Sequence, residues 1–289
     1  MKVSLGPLLY CWDKVRTQAF YQAVGASDIP LVYLGEAVCN RRRQLKFKDY
    51  WAIAQDLRDS GKQVILTTQA LIEAGSALVE LKKIIDNGEF MIEANDMAAV
   101  AMAREAKVGF IAGAEINHYN PATLTLLQQF GMQRFVMPYE LDQQWLSKTL
   151  AANASLKVEV LGLGHLPLAH SARCFTAKQA GLNKDTCATL CINYPQGITI
   201  KTQEQQALLR LNGIQTQSAT RCNLSQQWQQ MQQLGVEYFR VSADSEAGIA
   251  QAQALLKHQV VAEQDIDSNG YWFGQSGMSR LNVGNAPAP

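Results

Sequence analysis

Short apolar runs alternate with amphipathic stretches along almost the whole 289-residue chain, and this alternation constrains the fold more than any other feature. Strands are predicted near Lys2–Leu9, Pro30–Gly35, Gln63–Thr68, Phe90–Glu93, Val108–Ala112, Arg134–Met137, Lys157–Leu161, Leu208–Leu211 and Tyr238–Val241. Helices are predicted over Lys14–Ala23, Phe47–Ser60, Glu73–Asn87, Asp96–Ala106, Ala122–Phe130, Leu141–Ala152, Gln226–Leu234 and Glu246–Lys257. Repeated strand–helix units imply a parallel sheet, because each helix carries the chain back to the start of the next strand. Roughly eight such units in about 250 residues suit a closed (β/α)8, TIM-barrel-like α/β fold, incomplete or distorted in places. An open doubly wound sheet would carry a Gly-rich dinucleotide turn after its first strand, and Gly6-Pro7 begins none.

Charge narrows the partners. Twenty-six Lys and Arg nearly cancel 25 Asp and Glu, which removes the footprint of a general nucleic-acid or anionic-membrane binder. Met1-Lys2, the apolar run Val3–Tyr10 and Cys11 superficially resemble a signal or lipoprotein peptide. Gly6 and Pro7 interrupt that run, no small-residue cleavage site precedes Cys11, and Asp13-Lys14 follow at once. No run approaches the 18 or more apolar residues of a membrane span. The expectation is a cytoplasmic chain whose six cysteines act as metal ligands, redox groups or core filler rather than in disulfides.

One segment breaks the rhythm. Over 162–200, after the seventh strand, Gly162, Gly164, Pro167, Pro195 and Gly197 accompany three cysteines and two histidines, which is long for a barrel loop. The expected organisation is a single barrel-like domain over 1–264 containing this Cys-rich segment, then a tail over 265–289 that frays at Asn285–Pro289. The Gln-rich stretch Ser225–Leu234 reads as a surface helix, since Trp228, Met231 and Leu234 recur every three residues.

Cys174, Cys187 and Cys191 are spaced C-x12-C-x3-C, and Cys39 follows the second strand. In a parallel barrel all loops after strands open on one face, so Cys39 can meet them despite its distance in sequence. Four thiolates select zinc or an iron–sulfur cluster over hard cations, and the lack of two compact Cys pairs favours iron–sulfur. Cys11 also follows a strand and competes with Cys39 as the fourth ligand; spacing leaves that choice open. Cys222 reads as core filler.

Tyr33-Leu-Gly-Glu-Ala-Val-Cys39, Gly164-His-Leu-Pro-Leu-Ala-His-Ser-Ala-Arg-Cys-Phe175 and Asn212-Gly-Ile-Gln-Thr216 resemble the collagenase-like peptidase family U32, and within it the branch serving oxygen-independent ubiquinone biosynthesis. Glu159, Gly164, Ser171 and Arg173-Cys174 match the family's Cys segment, whereas Leu163 stands at its His and Pro167 at its first Cys. A proline cannot ligate a metal, and the resemblance nominates Cys39 with Cys174, Cys187 and Cys191 around a [4Fe-4S] cluster. It further implies hydroxylation of the ring of a ubiquinone precursor without dioxygen, in a heterodimer with a UbiU-like family member, with a UbiT-like lipid carrier as a further partner. Prephenate is the oxygen source the resemblance suggests.

The peptidase name finds no support in motifs: there is no G-x-S-x-G or H-E-x-x-H, and His118, His165, His170 and His258 lie in unrelated contexts. A cluster held by four thiolates has no vacant iron position, so an electron relay or an organising role is expected, and no catalytic residue is named. Pocket-lining candidates after strands are Glu36, Gln69, Glu93, Asn95, Asn117, His118, Glu140 and His165. Arg41-Arg42-Arg43 could receive a carboxylate-bearing donor or form a solvated face. The alternatives are a zinc-stabilised barrel acting as a binding module and a family peptidase.

Overall fold

Eight parallel strands close on themselves in the computed structural model, which describes residues 1–282. In chain order the elements are β1 (Lys2–Leu8), α1 (Lys14–Gly25), β2 (Leu31–Leu34), α2 (Phe47–Asp59), β3 (Gln63–Thr67), α3 (Gly75–Ile85), β4 (Met91–Ala94) and α4 (Met97–Ala106). There follow β5 (Phe110–Ala112), α5 (Pro121–Gln129), β6 (Met132–Val136), α6 (Gln143–Ala152), β7 (Val158–His170) and α7 (Phe175–Gln179). The last are β8 (Ile198–Lys201), β9 (Ala207–Asn212), β10 (Gln215–Asn223), α8 (Trp228–Leu234), β11 (Tyr238–Ala243), α9 (Glu246–Leu256) and β12 (Asp267–Ser268). Strands β1 to β7 pair in sequence, and β11 closes the ring by pairing with both β7 and β1. The expected (β/α)8 barrel is therefore present.

Strand alternation sorts the apolar residues into two layers. Val32 and Leu34 join the layer between barrel and helices, while Leu31 and Tyr33 face the barrel interior with Ile65, Ile111, Val136 and Tyr238. Both faces are covered, which is why the strands read as continuous apolar runs. Helix starts are fixed by side-chain caps: Asp13, Asp96, Asn120 and Asp142 accept from Arg16, Ala98, Thr123 and Trp145 backbone N–H groups. None of the described helices is long and apolar enough to cross a membrane.

The segment after the seventh strand is not the long loop expected. Strand β7 runs on to His170, far past the predicted end at Leu161, and its outer half pairs antiparallel with β10, which continues through β9 to β8. Gly162 and Gly164 read as breakers, but they serve close packing. A Cβ at Gly162 would sit 2.2 Å from the Phe239 ring, and one at Gly164 would sit 2.0 Å from Ser242 Oγ. The predicted strand at Leu208–Leu211 exists but belongs to this extension rather than to the barrel. Beyond Gln264, Asp267–Ser268 pair with β10, and Trp272 and Phe273 are buried against the barrel. The fraying expected at Asn285–Pro289 lies outside the described residues. Trp228 of the Gln-rich helix packs on Phe239 at 5.5 Å between ring centroids and Met231 is fully buried, as the three-residue stripe predicts.

Candidate functional site at the barrel mouth

Charged groups fill the barrel interior beneath its C-terminal mouth. Glu159 on β7 accepts from Ser4 Oγ at 2.7 Å and Tyr33 OH at 2.5 Å, and meets Arg240 at 2.6 Å and Arg134 at 3.1 Å. Arg240 reaches on to Glu93 at 2.8 Å, and its guanidinium lies 3.9 Å from the centre of the Tyr33 ring. Burial alone would raise the Glu159 carboxyl pKa, but Arg240 and Arg134 outweigh it and hold the group below the usual range. The same carboxylates hold Arg240 firmly charged against its own burial.

Above this ladder, residues from successive strand ends line a small pocket. His170 Nδ1 lies 3.3 Å from Glu115 Oε2, and Tyr139 OH donates to Glu115 Oε1 at 3.1 Å. Gln215 Nε2 lies 3.1 Å from His170 Nε2. Glu93, Asn95, Pro167 and Arg240 complete the walls with Leu9. Burial, reinforced by Glu115, pushes the Tyr139 phenol well above its ordinary pKa, so it stays protonated and donates.

The thiols stand beside this mouth. Gly35 leaves β2 with φ +142°, where a Cβ would come 2.7 Å from Thr67 O, and this close approach aims the following loop across the barrel end. Glu36 then accepts from the N–H groups of Val38 at 2.9 Å and Cys39 at 3.0 Å, fixing the loop. Cys39 packs with Val38, Ile214, Leu9 and Cys174. Cys174 caps α7, its Sγ accepting from Ala177 N at 3.4 Å. Cys187 and Cys191 flank a short turn whose Thr189 hydroxyl donates to Arg41 O at 3.3 Å, and Arg41 pairs with Asp185. The two cysteine-bearing segments are thus laced together.

Buried Arg42 is the common anchor. It donates to Leu9 O and to Asn212 Oδ1, each at 2.6 Å, and lies 3.5 Å from Glu36. The Cys11 thiol pairs with Cys191; this pairing and Arg42 lower the Cys191 pKa, while the pairing and burial raise that of Cys11 against the pull of Arg42. Burial, with Cys191 and Cys187 nearby, raises Cys174. Cys39, Cys174, Cys187 and Cys191 therefore lie on one side of the mouth, with Cys11 among them. Among the described residues, no three His, Cys, Asp or Glu side chains stand arranged to hold a metal ion. Cys222 lies apart, buried in the core with its thiol pushed up to about 12 by burial.

The other candidates divide. Glu93 and Asn95 line the mouth, while Glu36 serves the Cys39 loop and Gln69 lines a separate cleft between α2 and α3. His165 is buried with Nδ1 facing Ser218 O at 3.1 Å, and His118 is buried with Nε2 facing Val136 O at 2.9 Å; burial lowers each pKa to about 4. Both are core histidines, and neither lines the mouth pocket. Glu140 accepts from Tyr119 on the exterior. Sequence reasoning missed Glu115, Tyr139, His170 and Gln215. The rule that found Glu93 applies to Glu115 after β5 and to Tyr139 after β6, where attention went to its neighbour Glu140. The Asn212-Gly213 turn between β9 and β10 was the signal for Gln215.

The sequence matches Peptidase family U32 over residues 14–256. Among solved structures, the chain is similar to tryptophan synthase from M. tuberculosis at 10% identity, covering 90% of this chain and 93% of that one, with a TM-score of 0.48. It is similar to the spore cortex-lytic enzyme SleL of Bacillus megaterium QM B1551 at 9% identity, over 92% of this chain and 75% of that one, with a TM-score of 0.45. An uncharacterized B. cereus protein matches at 11% identity, over 88% of this chain and 65% of that one, also with a TM-score of 0.45.

Proposed function

Because the chain belongs to Peptidase family U32, we propose that it is a UbiV-type member, the iron–sulfur subunit of an oxygen-independent hydroxylase acting on the ring of a ubiquinone precursor. Cys39, Cys174, Cys187 and Cys191 would hold a [4Fe-4S] cluster, with a UbiU-like family member as heterodimer partner and a UbiT-like lipid carrier delivering substrate. The observation that carries this reading is the meeting of the β2 loop and the 174–191 segment beside the barrel mouth, with cysteine as the shared donor type. Soft thiolates suit iron–sulfur clusters, and buried Arg42 supplies a positive charge where four thiolates would accumulate negative charge.

When bound, the cluster supplies one-electron chemistry. The chain's own residues supply the rest. Tyr139 OH and His170 Nδ1–H converge on Glu115, whose carboxylate can take up a proton released in the pocket. Gln215 fixes the imidazole from its other nitrogen. Arg240, paired with Glu93 and Glu159, closes the floor of the pocket.

The family's name carries a second reading, peptidase. Against it, both ring nitrogens of His170 are engaged by Glu115 and Gln215, and among the described residues no hydroxyl or thiol is hydrogen-bonded to that ring. The test is anaerobic purification with and without a UbiU-like partner, followed by iron, sulfide and absorption analysis. The expected result is brown, oxygen-sensitive protein with about four iron per chain. A colourless protein retaining one zinc, or cleavage of collagen-like peptides that survives loss of the cysteines, would overturn it.

A further inference from the structure

Two of the thiols beside the mouth meet each other, and they differ in access. Cys11, just past β1, is 3% exposed, and the cavity at its side has about 20 Å3, space for about one water molecule. Cys191 is partly exposed, on the short turn Leu190–Asn193, none of whose residues is buried. Its thiol pairs with that of Cys11. A reagent from solvent therefore reaches Cys191 directly and Cys11 through Cys191.

The two segments are held together independently of the sulfurs. Trp12 Nε1 donates to Pro195 O at 2.9 Å, and Trp12 is fixed edge-on against Phe20 at 5.5 Å and under the Arg16 guanidinium at 3.8 Å. The residue after Cys11 is thereby clamped to the stretch that follows Cys191. From the other side Arg42, buried and tied to Leu9 O at 2.6 Å, lies beside both thiols. A fixed cation favours the thiolate, the form that attacks a disulfide. The other cysteines are placed differently: Cys174 Sγ accepts from Ala177 N at 3.4 Å, Cys39 packs with Val38 and Ile214, and Cys222 lies in the core.

We propose that Cys11 and Cys191 form a thiol–disulfide exchange site in the iron-free chain, with Cys191 attacking, Cys11 resolving, and a low-molecular-weight disulfide of the glutathione class as oxidant. The Cys191 thiolate attacks one sulfur of glutathione disulfide, the S–S bond of that molecule breaks, and one glutathione leaves, taking up the proton that Cys191 released. Cys11 then releases its proton and attacks the Cys191 sulfur of the mixed disulfide, and the second glutathione leaves with that proton. Two protein thiols are oxidised to one disulfide, and one glutathione disulfide is reduced to two thiols. An accessible attacking thiol poised next to a resolving one is the arrangement of redox-sensing cysteines. The inference deepens the proposed function in one respect that rests on that reading: Cys191 is a cluster ligand there, so the disulfide withholds it from iron, and a bound cluster withholds it from exchange.

The test is anaerobic incubation of the full chain, stripped of iron by a chelator and reduced, with glutathione disulfide, followed by alkylation in denaturant and mass mapping of unreduced peptides. The expected result is loss of two of the six alkylable thiols and one cross-link, between the Cys11 and Cys191 peptides, with no retained glutathione. Cys11→Ala should stop at the mixed disulfide on Cys191 and form no cross-link, and Cys11→Ser repeats the test should that variant misfold. Cys191→Ala should leave Cys11 unmodified. A cross-link of Cys191 to Cys187 or of Cys39 to Cys174 in its place, glutathione retained on Cys191 in the wild-type chain, or glutathione on Cys11 in Cys191→Ala overturns the inference. Iron uptake is then compared between the cross-linked chain and the same chain reduced with dithiothreitol, and only the reduced chain should reach about four iron. Equal uptake by the cross-linked chain overturns the withholding of Cys191 from iron. Cross-linking by a chain that takes up no iron after reduction sinks the iron–sulfur reading and leaves the exchange site. An iron-loading chain that forms no cross-link once stripped does the reverse.

Discussion

Replacing Arg240 with Met tests whether the charge ladder inside the barrel holds the fold together. Arg240 is fully buried and bridges Glu159 at 2.6 Å and Glu93 at 2.8 Å. Met preserves much of the side-chain length but leaves both carboxylates short of a cation; Glu159 keeps Arg134, while Glu93 keeps only Thr67 at 2.6 Å and a long contact from Asn95. Breaking a buried pair on one side costs about 3–5 kcal/mol. With a urea m-value of roughly 2–3 kcal/mol/M, the midpoint should fall by about 1–2.5 M at pH 7. The pH dependence carries the sharper test. In the wild-type chain Glu159 is held below its unfolded pKa, so its contribution is present above that pKa and is lost as pH falls. In the variant burial dominates and the buried carboxyl pKa rises above the unfolded value, so protonation on acidification relieves the uncompensated charge. The gap between variant and wild type should therefore shrink between pH 7 and pH 5. A midpoint change under about 0.3 M, or a gap that widens with acid, would refute the reasoning.

Two buried histidines make the fold acid-labile: His118 and His165 have pKa values lowered to about 4, so the unfolded chain binds protons first and stability falls from about pH 6.5 down to 4. Each contributes up to about 3 kcal/mol to this loss, and urea titrations of His165→Gln should show a shallower decline over that window. Gly162→Ala should drive a Cβ into the Phe239 ring and cost about 1–3 kcal/mol, measured as a lowered thermal midpoint with the mouth geometry tested by crystallography. If the cluster only relays electrons, a ring-substrate analogue added to reconstituted protein leaves its EPR and Mössbauer signals without a unique iron site; a new site on binding defeats that role. His170→Gln should lower hydroxylation by about 10²–10⁴-fold while leaving iron content unchanged, as expected of a proton-handling group.

The barrel was legible because its signal is local and repeated. Each parallel strand is buried on both faces, and four of the six helices from α1 to α6 start at an Asp or Asn cap, so period and punctuation largely agree from Lys2 to Ala152. The extension of β7 was not, since glycines and a proline that ordinarily end a strand are there for contact with Phe239, Ser242 and a bulged partner. Those contacts are made by residues about 50 to 80 positions away and leave no trace in the local pattern. That the β2 loop and the segment after β7 would meet was readable from topology, because loops after strands share one face. The proton-handling group was missed for a geometric reason: Tyr139 lines the mouth pocket, while its neighbour Glu140 meets Tyr119 outside, and one sequence does not show where the strand stops alternating.

Spacing left Cys11 and Cys39 equal as the fourth thiolate, and on the proposed reading their surroundings give them different roles. Cys39 belongs, with Val38 and Ile214, to a small cluster against which Cys174 packs, and its N–H is held by Glu36, an arrangement that presents a thiol from a fixed loop. Cys11 instead pairs with the Cys191 thiol, which on that reading is the position of a hydrogen-bond donor to a ligating sulfur. Donors to cluster sulfurs raise the reduction potential without adding a ligand. Cys11→Ala should therefore keep about four iron per chain and shift the midpoint potential to a more negative value, whereas Cys39→Ala should lose the cluster. Iron and sulfide analysis with redox titration of both variants decides between them. Loss of iron from Cys11→Ala and retention in Cys39→Ala would exchange their roles, placing the fourth ligand on the strand β1 side of the mouth rather than on the β2 loop.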